Sequence, residues 1–163
     1  MPVATIPPPV VMEVLYSTLK RRSGNLNSAF QFASLAQDLY ELYPAIKNTL
    51  EEFRNLKENW DGYGAVAIEG ETIQNVYTFL HGAFPFILSK LKEDEIEPTP
   101  LGTIILGWAN KSGMKISVEI GSSAYNYFIR RPEATIYSSP EIKISSILPE
   151  DLSTAFLLIG YDA

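Results

Sequence analysis

Apolar residues in the amino-terminal half of the chain recur at intervals of three and four, the spacing that places side chains on one face of a helix. The first such segment spans residues 11–19, and Asn25 is a suitable N-cap for a second segment. Pro44 suits the first turn of a third helix. The sequence therefore predicts a helical amino-terminal half. The three apolar stripes contain Val11, Val14 and Leu15; Leu26, Phe30, Ala33, Leu35, Leu39 and Leu42; and Ile46, Leu50 and Phe53.

The most regular pattern follows residue 70. Apolar residues form one broad face from Ile73 to Leu91, which predicts an amphipathic helix from Gly70 to about Asp94. Pro85 lies inside this segment, and a proline in a helix lacks an amide donor and crowds the carbonyl four residues earlier. We therefore expect a kink or a break at Pro85.

The period of the pattern changes from 3.6 to 2 after residue 102. Three runs of alternating apolar residues follow, joined by turn-like stretches at residues 110–113 and 121–123. Such short connections favour antiparallel neighbours. The pattern predicts an antiparallel meander of three or four strands within residues 102–139, the fourth being a weaker strand at 134–138. We expect the apolar residues of the first two runs to face the same core as Leu80 and Phe84. The apolar residues of the three runs are Ile104, Leu106 and Trp108; Ile116, Val118 and Ile120; and Tyr125, Tyr127 and Ile129.

A last helix is predicted from Pro149 onward. The predicted order of elements favours an α+β fold over a parallel α/β sheet, because the helices come first, the strand meander follows and a single helix ends the chain. We predict a flexible, proline-rich arm over residues 1–10, followed by a single α+β domain over residues 11–163. The apolar face of the last helix contains Leu152, Ala155, Phe156 and Ile159.

The composition excludes several classes of function. The chain has no cysteine, which excludes disulfides, thiolate catalysis and cysteine-ligated metals and suits a reducing cytoplasm. No apolar run approaches the length of a membrane-spanning helix, so no membrane contact is expected. The chain is acidic, and its formal charge of −6 disfavours binding to the phosphate backbone of a nucleic acid.

Catalytic motifs are matched only in part. Gly62 and Gly64 fit a loose dinucleotide-binding pattern, but they follow a predicted helix rather than a strand. The chain has no Gly-x-Ser-x-Gly nucleophile elbow and no phosphate-binding loop. His81 is the only histidine, so one chain cannot form a two-histidine metal site. We predict no catalytic residue, no metal ligand and no cofactor.

The distinctive element is the loop of residues 59–65, Asn-Trp-Asp-Gly-Tyr-Gly-Ala. Its glycines suit positive φ, and the side chains of Asn59 and Asp61 suit hydrogen bonds to nearby amides. Two interpretations are open. In the first, Trp60 and Tyr63 are contact residues of a binding loop and Asp61 supplies a charge. In the second, which we prefer, the loop is a structural corner that folds Trp60 into the core between two helices.

A resemblance to a known family rests on this loop and the segments after it. The segments that carry the resemblance are Leu56, the loop, the following amphipathic helix, Pro98-Thr99-Pro100 and the strand motifs around Trp108 and Val118. In these segments the chain resembles a family of small uncharacterised bacterial proteins with a Trp-Asp-Gly-Tyr-Gly-Ala signature. The resemblance covers residues 50–130. Members of that family tend to have an acidic residue before the strand tryptophan, where this chain has Gly107. The resemblance implies a bacterial origin and no established activity.

We predict a non-catalytic, cytoplasmic protein-interaction module of bacterial or phage type. Its protein partner would bind the helical amino-terminal half, the proline-rich arm or the aromatic loop, and self-association is left open. The alternative is small-molecule binding, or an unrecognised hydrolase using Asp61 and Glu119 with Tyr125 and Tyr127, for which a cleft joining the two carboxylates would be evidence. The candidate binding residues are Trp60, Asp61, Tyr63, Trp108, Glu119 and Tyr125.

Overall fold

A computed structural model of the chain describes residues 44–83, 85–133, 136–145 and 147–161. The predicted arm and the first two predicted helices lie outside these residues. Helix α1 covers residues 44–54 of the described part. The other helices are α2 (Gly70–Gly82), α3 (Pro85–Leu88) and α4 (Glu150–Tyr161), and Glu93–Glu95 forms one 3-10 turn. The strands are β1 (Ile96–Pro98), β2 (Ile104–Ala109), β3 (Lys115–Ile120), β4 (Ala124–Arg130), β5 (Ile136–Ser138) and β6 (Ile142–Lys143).

The described strands form one antiparallel sheet of six strands. Their order is β1-β2-β3-β4-β5, and β6 pairs with the opposite end of β4 from β5. The predicted α+β class, antiparallel meander and carboxy-terminal helix are confirmed. The prediction of three or four strands within residues 102–139 is confirmed, because β2, β3, β4 and β5 lie there, but the sheet also contains two strands that were not predicted, β1 and β6. These strands span three and two residues, too few for an alternating pattern to be visible in the sequence.

Among the residues that the structure describes, one face of the sheet is buried and the other is not. Every second residue of β2, β3 and β4 is buried, and the register places these residues opposite one another, as in the pair Trp108 and Ile116. The predicted inward orientation of the first two runs is therefore confirmed, and the third run also buries its alternate residues. Leu80 is buried as predicted, and Phe84 lies outside the described residues. We call this side the inner face of the sheet and the opposite side the outer face.

Helices α2 and α4 supply the apolar residues that cover the inner face. The predicted break at Pro85 is confirmed: α2 ends at Gly82, Ala83 is extended, and Pro85 is the first residue of α3. Proline is suited to that position because its missing amide would have no partner there. The buried residues of α2 are Thr72, Ile73, Val76, Phe79 and Leu80, and those of α4 are Leu152, Ala155, Phe156 and Ile159.

Trp108 joins three elements. It lies on β2 and is 2% exposed. Its Nε1 donates a hydrogen bond to the Ile87 carbonyl of α3 at 2.9 Å, and its ring packs edge-to-face against Phe156 of α4, with ring centroids 5.0 Å apart. A buried indole N–H without an acceptor would be costly, so this bond ties the position of α3 to that of β2.

The first turn of α4 is held by tyrosines of the sheet. The hydroxyls of Tyr127 and Tyr137 are hydrogen-bonded to the Asp151 carboxylate, whose Oδ1 also accepts from the Leu152 amide at 3.0 Å. Burial acts to raise the pKa of Asp151, but the hydrogen bonds outweigh it and hold this pKa below its ordinary value. The carboxylate also lies at the amino terminus of α4, where the helix dipole favours negative charge.

Substitution of Trp108 tests its central position. We expect Trp108→Ala to lower the free energy of unfolding by about 3–5 kcal/mol, as for other buried aromatic residues. Trp108→Phe keeps an aromatic ring but removes the indole donor to the Ile87 carbonyl, which then accepts only from the Lys90 amide, so a smaller loss of about 0.5–1.5 kcal/mol is expected for the lost bond. Urea unfolding measures both values. If the two variants are as stable as wild type, the assigned role of Trp108 is wrong.

A second prediction concerns pH. Because Asp151 has a lower pKa in the folded protein than in the unfolded chain, its contribution to stability is complete above about pH 4 and is lost as pH falls through the folded-state pKa. Asp151→Asn should therefore show a smaller loss of stability in acid than wild type, and Tyr127→Phe should reduce that loss in part. Urea unfolding at a series of pH values tests this, and parallel profiles for wild type and Asp151→Asn would contradict it.

Candidate functional site

Asn59 closes the loop of residues 59–65. Its amide donates to the Ala65 carbonyl at 2.7 Å, its Oδ1 accepts from the Gly64 amide at 2.7 Å, and its carbonyl accepts from the Gly62 amide at 3.0 Å. Asn59 adopts a positive φ of 63°, a conformation that asparagine tolerates because its short polar side chain can bond locally. One residue thus holds the two ends of the loop together.

Asp61 organises the middle of the loop. Its Oδ1 accepts from the amides of Tyr63 at 2.8 Å and of Ala65 at 3.1 Å, a side-chain-to-backbone arrangement typical of aspartate in turns. The amides of residues 62–65 therefore all donate within the loop. The predicted role of Asn59 and Asp61 as acceptors for nearby amides is confirmed, and the loop backbone is fixed by its own hydrogen bonds.

Two positions of the loop require glycine. Gly62 has φ of 78° and Gly64 has φ of 97°, a region that residues with a β-carbon disfavour. A β-carbon at either position would meet nothing within 4 Å. Glycine is therefore needed there because of the backbone conformation and not because of space.

The two aromatic residues of the loop differ in exposure. Trp60 is half-buried and lies outside the buried core, so the prediction that the loop folds Trp60 into the core is wrong. The reason is local: its Nε1 finds an acceptor in the Val66 carbonyl at 3.2 Å, which keeps the indole against its own loop. Tyr63 is 95% exposed.

A second turn, at residues 99–103, packs beside the loop. The Val66 amide donates to the Pro100 carbonyl at 2.9 Å. Gly102 has φ of 79°, and a β-carbon there would lie 3.2 Å from the Ala67 carbonyl oxygen, so the two segments are in close contact. Leu101, at the tip of this turn, is 77% exposed.

A half-open cleft of about 290 Å³ lies next to the turn of residues 99–103. Acidic residues line it from three parts of the chain: Glu69 precedes α2, Glu119 lies on β3 and Glu141 precedes β6. None of the described residues that line the cleft is basic. Val66 and Leu101 are among the apolar lining residues. The cleft is therefore acidic with an apolar border.

A chain of hydroxyl groups positions Glu119. Thr103 Oγ1 donates to Glu119 Oε1 at 2.7 Å. Because a hydroxyl has a single proton to donate, Thr103 must accept from Thr99 Oγ1, which lies 2.6 Å away. Thr99 Oγ1 accepts in turn from the Leu101 amide at 3.2 Å. The turn that carries Leu101 thus also fixes the carboxylate.

Tyr125 and Tyr127 lie on the inner face. The Tyr125 ring packs edge-to-face against Phe79, and its buried hydroxyl has no hydrogen-bond partner among the described residues. Burial, and then the charge of Asp151, raise the pKa of Tyr125. Burial and the hydrogen bonds to Asp151 and Tyr137 raise the pKa of Tyr127. Both phenols are therefore protonated at neutral pH, and neither is prepared to act as a base.

The structure separates the predicted binding residues into three places. Asp61 does not line this cleft, so the cleft does not join Asp61 with Glu119, the arrangement that would have been evidence for the hydrolase alternative. Trp108 is committed to the core by its contacts with α3 and α4. Trp60, Asp61 and Tyr63 share the loop, Glu119 and Tyr125 line the cleft, and Trp108 is buried.

Sequence reasoning missed four residues beside the predicted ones: Glu69, Leu101, Thr103 and Glu141. They come from separate segments, and only the pairing of β2 with β3 and the position of α2 bring them together. The one local signal was Gly102 after Pro100, which is typical of a turn.

No family model matches the chain, and no match is found among curated proteins or solved structures. Within residues 44–161, where the structure describes them, no helix has the length and apolar character that crossing a membrane requires. In the same part of the chain, no group of three or more histidine or acidic residues is placed to hold a metal ion.

The glycine requirement of the loop can be measured with a matched control. We expect Gly62→Ala to lower the free energy of unfolding by about 1–2 kcal/mol, because alanine resists positive φ. A β-carbon at Gly70, the first residue of α2, would also meet nothing within 4 Å, but Gly70 has no positive φ. Gly70→Ala should therefore be neutral or stabilise by about 0.4–1 kcal/mol. Equal changes in the free energy of unfolding for Gly62→Ala and Gly70→Ala, measured in urea, would contradict the requirement for glycine at position 62.

Proposed function

We propose that this protein is a non-catalytic protein-interaction module whose contact surface is the loop of residues 59–65 together with the turn of residues 99–103. The observation that carries the proposal is the exposure of Tyr63, which is 95% accessible on a loop whose amides are paired internally. A large aromatic side chain on a fixed backbone can be buried by a partner at a small cost in conformational entropy.

Apolar neighbours extend this surface. Leu101 is 77% exposed and Val66 is 44% exposed, and the Val66 amide joins the two segments through its bond to Pro100. An exposed aromatic residue together with exposed aliphatic side chains on adjoining segments has the make-up of an interface anchor. Trp60 contributes by fixing residue 66 through its indole N–H.

The arrangement of the titratable groups also supports a non-catalytic role. Asp61 Oδ1 is engaged by two backbone amides, and the residue lies outside the cleft. The pKa values of Tyr125 and Tyr127 are raised, which disfavours their ionised forms. His81 is exposed in the last turn of α2 and does not line the cleft.

The proposal includes a cytoplasmic location and a bacterial or phage origin. The location rests on the absence of cysteine from the sequence. The origin rests on the resemblance to the family with the Trp-Asp-Gly-Tyr-Gly-Ala signature, of which we propose this chain is a member. In that case Asp61, Gly62 and Gly64 of the signature maintain the loop, and Tyr63 is its contact residue.

A second candidate is small-molecule binding in the acidic cleft. It is favoured by the hydroxyl chain that positions Glu119 in a half-open space of about 290 Å³. Mass spectrometry of the purified protein under native conditions would detect such a ligand. A metabolite retained by wild type and lost from Glu119→Gln would support this candidate.

The principal experiment compares wild type with Tyr63→Ala and Ile147→Ala. Ile147 is 81% exposed and lies between β6 and α4, so the control removes an exposed apolar side chain elsewhere. Tagged wild-type chain is used to capture proteins from its host, the captured partner is purified, and Kd is measured for all three proteins by calorimetry. We expect Tyr63→Ala to raise Kd by at least about 30-fold and Ile147→Ala by less than about threefold.

Thermal unfolding of the same proteins separates binding from stability. Neither substitution removes a buried contact, so Tm should change little in both variants. Failure of the wild type to retain any partner would contradict the proposal, as would a Tyr63→Ala variant that binds the partner as tightly as wild type.

A further inference from the structure

The outer face of the sheet carries three rows of side chains that run across the strands. The residues in each row are set by the strand register and lie directly opposite one another. The acidic row is Glu97, Ile105, Glu119 and Asn126; the middle row is Gly107, Ser117, Phe128 and Ser138; and the basic row is Ala109, Lys115, Arg130 and Ile136.

The described helices leave this face open. The side chains of all three rows are exposed or half-buried, whereas the buried residues of the same strands lie on the inner face. The apolar residues Ile105, Phe128 and Ile136 are not part of the core cluster, and Ile136 is 61% exposed. The outer face therefore combines exposed apolar groups with charges.

The charges on the outer face are unbalanced locally. Lys115 and Arg130 lie directly opposite each other on β3 and β4, and like charges in that relation are destabilising. Neither forms an ion pair with a described residue. Glu119 lies on the other side of the middle row, on the same strand as Lys115. The face is thus acidic on one side of its middle row and basic on the other.

We propose that this face binds a second copy of the chain, face to face, about a two-fold axis parallel to the middle row. Rotation by half a turn about that axis exchanges the acidic and basic rows and leaves the order of the strands unchanged. The acidic row of each copy then lies over the basic row of the other. Because the interface is isologous, every favourable contact away from the axis occurs twice.

The register specifies the contacts. Glu119 faces Lys115 of the second copy, Asn126 faces Arg130 of the second copy, and the two Phe128 side chains meet at the axis. Glu119 is held in place before association, because its Oε1 accepts from Thr103 Oγ1. A second copy is favoured over an unrelated protein because the charges of this face are complementary to the charges of the same face.

The expected dimer is weak. Five of the described strands contribute to the outer face, about 20 Å at the usual strand spacing, so the contact buries less than the ~800 Å² per partner of a standard interface. We therefore expect a dissociation constant of about 10–1000 µM for the dimer. This constant should increase with ionic strength, because salt screens the charged contacts.

Sedimentation equilibrium of the full chain, over about 10 µM to 1 mM, tests the proposal with a charge exchange. Lys115→Glu should weaken the dimer by at least about tenfold, because it places two carboxylates together at each of two contacts. The double variant Lys115→Glu/Glu119→Lys restores opposite charges at both contacts and should regain affinity to within about threefold of wild type. Lys47→Glu makes the same change of net charge on the exposed side of α1 and should have no effect.

A loss of dimerisation in Lys115→Glu could not be attributed to unfolding of the variant. Lys115→Glu replaces a like-charge pair with Arg130 by an opposite-charge pair, so this variant should be at least as stable as wild type in urea. Tyr63→Ala should dimerise normally, which separates this interface from the partner-binding loop. A monomeric wild type over the whole range overturns the proposal, as does a Lys115→Glu variant that dimerises as well as wild type or a double variant that does not recover.

Discussion

The burial of Trp108 is the interaction on which the arrangement of the other elements depends. Its indole N–H needs an acceptor inside the core, and the Ile87 carbonyl is available because α2 ends at Gly82 and Pro85 starts a new helix. Its ring also needs an apolar neighbour, which Phe156 of α4 provides. One side chain of β2 thereby determines where two helices lie on the sheet.

Helix α2 also fixes the turns at the end of the sheet where the cleft lies. Asn75 Nδ2 donates to the Gly121 carbonyl at 2.9 Å, and Thr72 Oγ1 donates to the Gly102 carbonyl at 3.4 Å. The turns on both sides of the cleft are thus bonded to the helix that covers the inner face. The outer face takes no part in this packing, so its side chains are under no constraint from the described core.

The loop of residues 59–65 shows that a structural corner and a binding loop need not be alternatives. Asn59, Asp61 and the two glycines account for its conformation, and Trp60 fastens it to residue 66. Tyr63 contributes only its amide to that conformation, and its side chain is exposed. The internal hydrogen bonds therefore provide the rigidity that the proposed contact through Tyr63 uses.

The sequence alone determined the elements whose patterns are local. The two-residue alternation identified the inner face of β2 and β3 and the existence of β4, the three-to-four spacing identified the faces of α2 and α4, and Pro85 marked the break. Asn59 and Asp61 were recognised as amide acceptors because those bonds span only two to five residues. Only the tertiary structure decided that Trp60 stays outside the core, that Glu119 lines one cleft with Glu69 and Glu141, and that Asp61 does not line it. These outcomes depend on how separate segments pack, and no local spacing in the chain encodes which distant side chains share a surface.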